Sequence, residues 1–379
     1  MLASIELQHL RIPFRSAFKH ASAERAETDS VLATVTTSES VSGHGEGCPR
    51  VYVTGETTAS CFQFLEAHRA SILTIRDLAT LRRWVEENGA IIDKNPAAWC
   101  AIETAILDAF GKAAGLSIEE LLGLPPLAGT FHFTAVLGAA KPETFSKQLA
   151  QYVQLGFREF KMKIAGDEAT DLRNFAALTA ECPGASIRFD FNNLWQTAPE
   201  AIRYVAAFGP NFWAFEEPLR ANDYDALREL GAVLKRPIIL DESFCRIEQF
   251  APIAADAERW IPNIRVSKMG GLLRSLAIAE RCTTLGMKFI IGAQVGETSI
   301  LTRMALTVAN THRQNLRAQE AAFGTYLLTT DITAAPLMFG KQGELTAPEP
   351  KPGHGIALIS PHEFSLKLPL PRAGRIDPL

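Results

Sequence analysis

No two cysteines in this chain stand in a CxxC pair, and the six present, at 48, 61, 100, 182, 245 and 282, are scattered over 379 residues. That scarcity excludes a disulfide-stapled scaffold and a zinc ribbon, and reduced thiols in a cytoplasmic protein are expected. Neither sign of charge is in large surplus: 38 Lys and Arg face 42 Asp and Glu, a formal net charge of −4, with no long block of either. Nucleic acid and membrane surfaces are therefore not expected partners. Long apolar runs are missing as well. The opening MLASIELQHLRIPF is interrupted by Glu6, His9 and Arg11 before a signal-peptide core can form, and no membrane span is expected. What the chain does have is core material, with 47% hydrophobic and 21% charged residues, so it reads as globular and large enough for a barrel plus an appendage.

Two textures follow one another. Up to about residue 125 the chain alternates like antiparallel strands, at Ile5 to Ile12 and Val31 to Thr37, with Gly43, Gly45 and Gly47 marking a turn-rich edge. A helical stripe then runs through Trp99, Ile102, Ile106, Leu107 and Phe110, with Pro96 in its first turn. Leu124 to Leu127 reads as a linker. From about residue 131 short apolar strands alternate with amphipathic helices such as Glu143 to Leu155 and Leu272 to Leu285. Eight strands are expected, at 131–137, 157–164, 186–191, 212–216, 238–241, 261–266, 288–292 and 322–328. Eight such units close a barrel, although an open doubly wound sheet has the same alternation. After about residue 345 the chain turns rich in Pro and Gly and is expected to return to the first domain.

Polar residues recur at the carboxyl ends of these strands. Lys161 and Lys163 end the second and share one face by period-2 geometry. Asp190, Glu216 and Asp241 end the third, fourth and fifth, and Arg265 the sixth. Taken singly, an acid after a strand is a helix cap or a rim ion pair. Three acids 26 and then 25 residues apart, each at the same end of consecutive strand-helix units, form a constellation. Their carboxylates make an all-oxygen site of the kind Mg²⁺ prefers.

Phe160-Lys161-Met162-Lys163, Arg188-Phe189-Asp190-Phe191-Asn192, Phe215-Glu216-Glu217-Pro218, Leu240-Asp241-Glu242-Ser243 and Lys268-Met269-Gly270-Gly271 together resemble the enolase superfamily, in particular its muconate lactonizing enzyme subgroup. The resemblance extends to Gly43-His44-Gly45-Glu46 and to the stretch from Gly292 to Thr298. It implies an α+β capping domain (1–125) on a (β/α)7β barrel (126–345), with a tail (346–379) returning to the cap. It also implies Mg²⁺ on Asp190, Glu216 and Asp241, with Glu217 turned away from the metal. A proton α to a carboxylate is weakly acidic because its loss puts a second negative charge on one small group. Mg²⁺ and Lys161 would meet that charge, and Lys163 would take the proton.

The sixth strand departs from the family pattern. Many members carry a second catalytic Lys three residues before the basic residue of the x-Gly-Gly element, and here that position is Arg265 while Lys268 matches the later one. A guanidinium is a poor proton acceptor, so two-base racemisation is put in doubt unless a register slip brings Lys268 to the site. His20 lies in the segment that in this family covers the barrel mouth. With Asn192 and Glu297, it is a candidate substrate contact. The expected activity is Mg²⁺-dependent α-proton abstraction from a small carboxylate, as an isomerase of cycloisomerase or epimerase type. The alternatives are a lyase with Lys163 as single base and a non-catalytic binding protein. No Asp-x-Asp element stands at 323–327 to capture a dipeptide ammonium. A symmetric homo-oligomer is a base-rate expectation only.

Overall fold

The structure, a computed structural model, describes residues 1–20 and 23–359, without the side chains of 16–20, 23 and 24. Five strands open the chain: β1 (Leu2–Leu10), β2 (Pro13–His20), β3 (Ala23–Glu27), β4 (Ser30–Thr37) and β5 (Ser42–Gly47). β1, β4 and β5 form an antiparallel sheet in that order, and β2 and β3 pair as a separate hairpin. The sheet packs on the helix Pro96–Ala114, which is buried on almost every side. The glycines of β5 make this contact possible. A Cβ on Gly43, Gly45 or Gly47 would stand 2.2, 2.1 or 2.0 Å from the carbonyl oxygens of Ala105, Ala101 and Ala97. Glycine every second strand residue thus faces alanine every fourth helix residue, and strand backbone lies on helix backbone.

β6 (Thr130–His132) begins the second domain by pairing antiparallel with β15 (Glu344–Thr346). Between them run eight parallel strands: β7 (Ala135–Leu137), β8 (Glu159–Lys163), β9 (Ser186–Asp190), β10 (Ala214–Glu216), β11 (Ile238–Leu240), β12 (Trp260–Ile264), β13 (Phe289–Ile291) and β14 (Leu316–Gln319). They lie in one sheet in sequence order, and the Thr134 amide donates to the Gln319 carbonyl at 2.8 Å to join its two edges. This is the (β/α)7β barrel, in which the fifth crossover carries 3₁₀ turns at Ile247–Phe250 and Ala254–Arg259 in place of an α-helix.

Two strand expectations are corrected. The run 131–137 splits at Phe133-Thr134, its first half leaving the barrel to meet β15. The eighth strand is 316–319 and not 322–328, because Ala321, Ala322 and Gly324 take positive φ (114°, 53° and 46°), where an extended strand cannot continue. Of the tail, residues up to 359 are described. Gly353 and His354 lie on the helix Pro96–Ala114, where Asp108 Oδ1 accepts the His354 amide at 3.0 Å.

The barrel interior is layered. Ala214, Ile239, Ile261, Ile290 and Ala318, from five consecutive strands, make an apolar floor. Two residues further along the same inward faces come Glu216, Asp241, Asn263, Gly292 and Glu320, so the next layer is polar, which is the period-2 geometry of a strand.

Candidate active site

Lys161 Nζ lies 3.2 Å from Asp190 Oδ2, 3.3 Å from Glu216 Oε1 and 2.9 Å from Glu320 Oε2. Burial lowers its pKa, but Glu216, Glu320 and Asp190 outweigh burial and hold it above the ordinary lysine value. Glu320, directly after β14, also pairs with Arg188 on β9. Sequence reading missed Glu320, because the strand that delivers it is four residues of mixed polarity. Arg188 donates to Thr134 Oγ1 at 3.2 Å and stands 3.6 Å from Glu216 Oε2, so it braces the layer from below.

Two residues further along β8, Lys163 Nζ donates to Asn192 Oδ1 at 2.9 Å and stands 3.4 Å from Asp190 Oδ2. Asn192 takes φ +45°, and its amide donates to Asp190 Oδ1 at 3.2 Å. It therefore holds the lysine and the aspartate together. Burial raises the Asp190 pKa, but Lys163 and Lys161 more than offset this and keep the carboxyl below its usual range. Glu216 is pushed up to about 7 by burial, only partly relieved by Lys161. Asn263 Nδ2 donates to Glu216 Oε1 at 3.1 Å, and Gly292 makes room for it, since a Cβ there would stand 2.2 Å from Asn263 Oδ1.

On the far side Asp241 is gripped twice. Arg265 Nη2 donates to Asp241 Oδ2, while Lys268 Nζ donates to Asp241 Oδ1 and to its backbone carbonyl, each at 2.7 Å. Burial again opposes ionisation, and Arg265 and Lys268 prevail, holding Asp241 below the ordinary value. Burial lowers Arg265 but Asp241 and Glu216 raise it further, so it stays charged. Lys268 reaches Asp241 from the seam side, where it borders a cavity of about 210 Å³ together with Glu242, Cys245 and Pro96. Glu217 takes φ +40°, which turns its side chain out of the barrel mouth. There its Oε1 accepts the amides of Asp241 and Ser243, both at 2.7 Å, and fixes the Asp241 backbone. Glu297 turns back onto its own loop, accepting the Gln294 amide at 2.6 Å, and Gln294 Oε1 is what Arg265 Nη1 meets, at 3.0 Å. His20 ends β2, and its side chain lies outside the described residues.

The comparisons with known proteins agree with the fold. Residues 4–123 match the mandelate racemase/muconate lactonizing enzyme N-terminal domain, and residues 144–361 match the enolase C-terminal domain-like family. The chain belongs to the mandelate racemase/muconate lactonizing enzyme family. It is 25% identical over 370 residues to an N-succinyl-L-Arg/Lys racemase from Bacillus cereus, covering 94% of this chain and 95% of that protein. The solved 2-chloromuconate cycloisomerase of Rhodococcus opacus superposes with a TM-score of 0.82 at 25% identity, covering 97% of this chain and 98% of the other. The fold is shared with an Enterococcus faecalis dipeptide epimerase complexed with Mg and L-Leu-L-Tyr, with a TM-score of 0.83, 23% identity and 94% and 99% coverage.

Within this family member the three strand-end acids offer six hard oxygens from adjacent strands, and Asp190 and Glu216 are direct register partners. All three are buried. That donor chemistry suits a small divalent cation. Among the described residues no group of three or more His, Cys, Asp or Glu converges closely enough to hold an ion, and each of the three acids is paired with a lysine or arginine.

Proposed function

We propose that this chain is an isomerase of small carboxylate substrates, removing the proton α to the carboxylate at Lys163 and passing through an enolate, with Mg²⁺ held by Asp190, Glu216 and Asp241. The observation that carries this reading is the opposition of two cations across three acids. Lys163 on β8 and Arg265 after β12 stand four strands apart in an eight-stranded barrel, and the acids of β9, β10 and β11 fill the arc between them. A flat enolate lying over the acids would have one cation on each face. Bound Mg²⁺ would supply the positive charge that stabilises the developing dianion.

The chain's own groups do the rest. Lys163 takes the proton, and Asn192 aims it. Lys161, kept charged by Glu320 and Glu216, contributes a fixed positive field beside the carboxylate end of the substrate. Arg265 stabilises negative charge on the opposite face and returns no proton. The reading is thus a one-base isomerisation of cycloisomerase type: Lys163 takes the α-proton, the enolate's electron pair expels a ring oxygen from the β-carbon as a carboxylate that stays in the molecule, and in the reverse direction the proton returns on the Lys163 face. The names of the relatives, a racemase, an epimerase and a cycloisomerase, support isomerase chemistry. Arg265 also favours a second reading, β-elimination with Lys163 as sole base, as in the o-succinylbenzoate synthase of Bacillus subtilis, 25% identical over 304 residues.

Proton NMR in D₂O with Mg²⁺ and a panel of N-acylamino acids, dipeptides, acid sugars and cyclohexadienyl carboxylates tests the proposal. Exchange at the α-carbon with retention is the expected result, lost in Lys163→Ala while Mg²⁺ binding survives. Exchange that persists in Lys163→Ala removes Lys163 from the base role, and loss of water from the substrate moves the assignment to the lyase.

A further inference from the structure

Beyond the barrel strands, Lys163 and Asn192 leave the sheet on separate loops. Lys163 ends β8 and Asn192 follows β9 by two residues, and the last backbone bond between the two chains runs from the Ile164 amide to the Asp190 carbonyl at 2.9 Å. Among the described residues no backbone hydrogen bond joins 165–167 to 191–195. A lysine amine sits on a flexible four-carbon stem, so its contact with Asn192 keeps one geometry only if both loops are held from elsewhere.

Side chains outside the barrel hold them. Asp171, in the first turn of the helix Glu168–Glu181, turns its carboxylate back onto the loop after Lys163, accepting the Ala165 amide at 3.2 and 3.1 Å and the Gly166 amide at 2.9 Å. Asp171 is buried, and its Oδ2 accepts the hydroxyl of Tyr204, on the helix Ala198–Ala206, at 2.6 Å. Burial pushes the phenol pKa up and Asp171 adds to the rise, so the hydroxyl stays a donor. The Tyr204 ring packs on Trp195 with 4.8 Å between centroids, and Trp195 packs on Phe191 at the same distance. Trp195 follows Asn192 and Asn193, which take φ +45° and +59°, a backbone conformation that residues with side chains keep only when their surroundings hold it. The two loops also touch directly, since a Cβ on Gly166 would stand 3.1 Å from Leu194 Cδ2.

We infer that Tyr204 is a positioning residue for Lys163, its hydroxyl holding the loop after Lys163 through Asp171 and its ring holding the loop that presents Asn192 through Trp195. The inference rests on the reading above of Lys163 as the base. Tyr204 lies on a helix outside the barrel wall, so it acts on proton transfer only through these loops, by setting where Lys163 Nζ stands relative to Asn192 and Asp190. Either contact alone would steady one loop. Both on one side chain fix the loops relative to each other, and the 2.9 Å bond from Lys163 to Asn192 depends on that relation. Loss of the hydroxyl therefore acts on the chemical step and leaves substrate binding in place.

Tyr204→Phe in the full chain removes the hydroxyl and keeps the ring. In hydrogen–deuterium exchange read by mass spectrometry, the Ala165 and Gly166 amides should exchange about tenfold faster, the effect of one hydrogen bond lost from the carboxylate that holds them. Tyr204→Leu, which removes the ring as well, should also speed exchange across 191–195. With the panel carboxylate that the wild type deuterates fastest, kcat for α-deuteration in Tyr204→Phe should fall about tenfold while KM stays within about twofold. Added to Asp171→Ala, the same change should lower kcat by less than about twofold, because no carboxylate remains for the hydroxyl to orient. Faster exchange confined to the helix Ala198–Ala206, an unchanged kcat, a loss carried by KM alone, or a full-sized effect in the Asp171→Ala background overturns the inference. Faster exchange at both loops with no α-deuteration of any carboxylate by the wild type would instead refute proton abstraction and leave the coupling of the loops standing.

Discussion

The cap grips the barrel through Glu46, and replacing it by glutamine makes a pH-dependent prediction. The Glu46 carboxylate accepts the Thr298 amide at 2.9 and 3.1 Å, the Thr298 hydroxyl at 2.7 Å and the Leu301 amide at 3.3 Å, at the start of the helix Ser299–Thr311, which has no side-chain cap of its own. Burial nevertheless lifts this carboxyl from 4.5 to about 7. Because the folded state binds the proton more tightly than the unfolded chain, the stability Glu46 contributes is full below about pH 4.5 and is lost as pH rises through about 7. The two values lie about 2.5 pH units apart, which at ~1.4 kcal/mol per unit is about 3 kcal/mol. Glutamine does not titrate. At the acid end Glu46→Gln should be less stable by about 1 kcal/mol, since its NH₂ faces amides that need an acceptor. By pH 8 the gap should have closed and reversed. Asp331, raised by burial to about 6, adds to the Glu46 shift, but it is present in both proteins and largely cancels in their difference. Urea melts of both proteins at pH 5, 6, 7 and 8 give the gap directly. A gap constant to within about 0.5 kcal/mol across that range would refute the linkage, because such a carboxyl is not changing its proton occupancy on folding.

Breaking the buried pair of Glu119 with Arg303, joined at 2.8 and 2.7 Å, by Arg303→Met should cost about 3 to 5 kcal/mol in urea melts, while Glu119→Leu combined with Arg303→Met should recover much of it. Gly292→Ala forces Asn263 off Glu216 and should cost about 1 to 3 kcal/mol, with a tenfold or greater fall in α-deuteration. Arg265→Lys places a titratable amine opposite Lys163, so exchange with inversion should appear in the NMR assay where the wild type exchanges with retention. Mg²⁺ should raise the thermal midpoint and EDTA reverse the rise; a midpoint insensitive to both rules out a resident divalent ion.

The acids and lysines of the site were legible because a strand repeats every two residues and a barrel keeps its chemistry at one end of every strand. Asp190, Glu216 and Asp241 announce themselves by recurring after short apolar runs. Glu320 does not, since Leu316 to Gln319 alternates too weakly to read as a strand and the positive φ of Ala321 is invisible in sequence. The role of Glu46 was hidden for another reason. Its motif is local, but the Thr298 amide it accepts, just before the helix, lies 252 residues later. Gln294 carried no signal at all, because what makes it notable is the company of Arg265 and Glu297, which only the fold assembles. Gly270-Gly271 stands in the sequence only as the end of a family motif, whereas in the fold Gly271 admits a glutamate from the cap, for a Cβ there would stand 1.7 Å from Glu103 Oε2.

That last contact belongs to a pattern. Pro142–Leu155 apart, three long helices lack a side-chain cap of their own: Pro96–Ala114, Leu272–Thr284 and Ser299–Thr311. Each receives a buried glutamate from elsewhere: Glu56 on the amides of Ala97 and Ala98, Glu103 on Leu273, and Glu46 on Thr298 and Leu301. Burial pushes these carboxyls up to about 7, about 8 and about 7 respectively, so the arrangement carries an electrostatic cost near neutral pH that an ordinary Ser or Asp cap would avoid. Two of the three cross from cap to barrel, and where they land gives the cost its use. Glu103 holds the turn that follows Arg265 and the short helix Val266–Met269, and Glu46 holds the loop that presents Gln294 to Arg265. The cap therefore clamps the segment on each side of the Arg265 guanidinium, which faces Lys163 across the mouth. A side chain with that many rotatable bonds keeps a fixed place only when both its backbone and its hydrogen-bond partner are held, and the glutamates of the cap hold both.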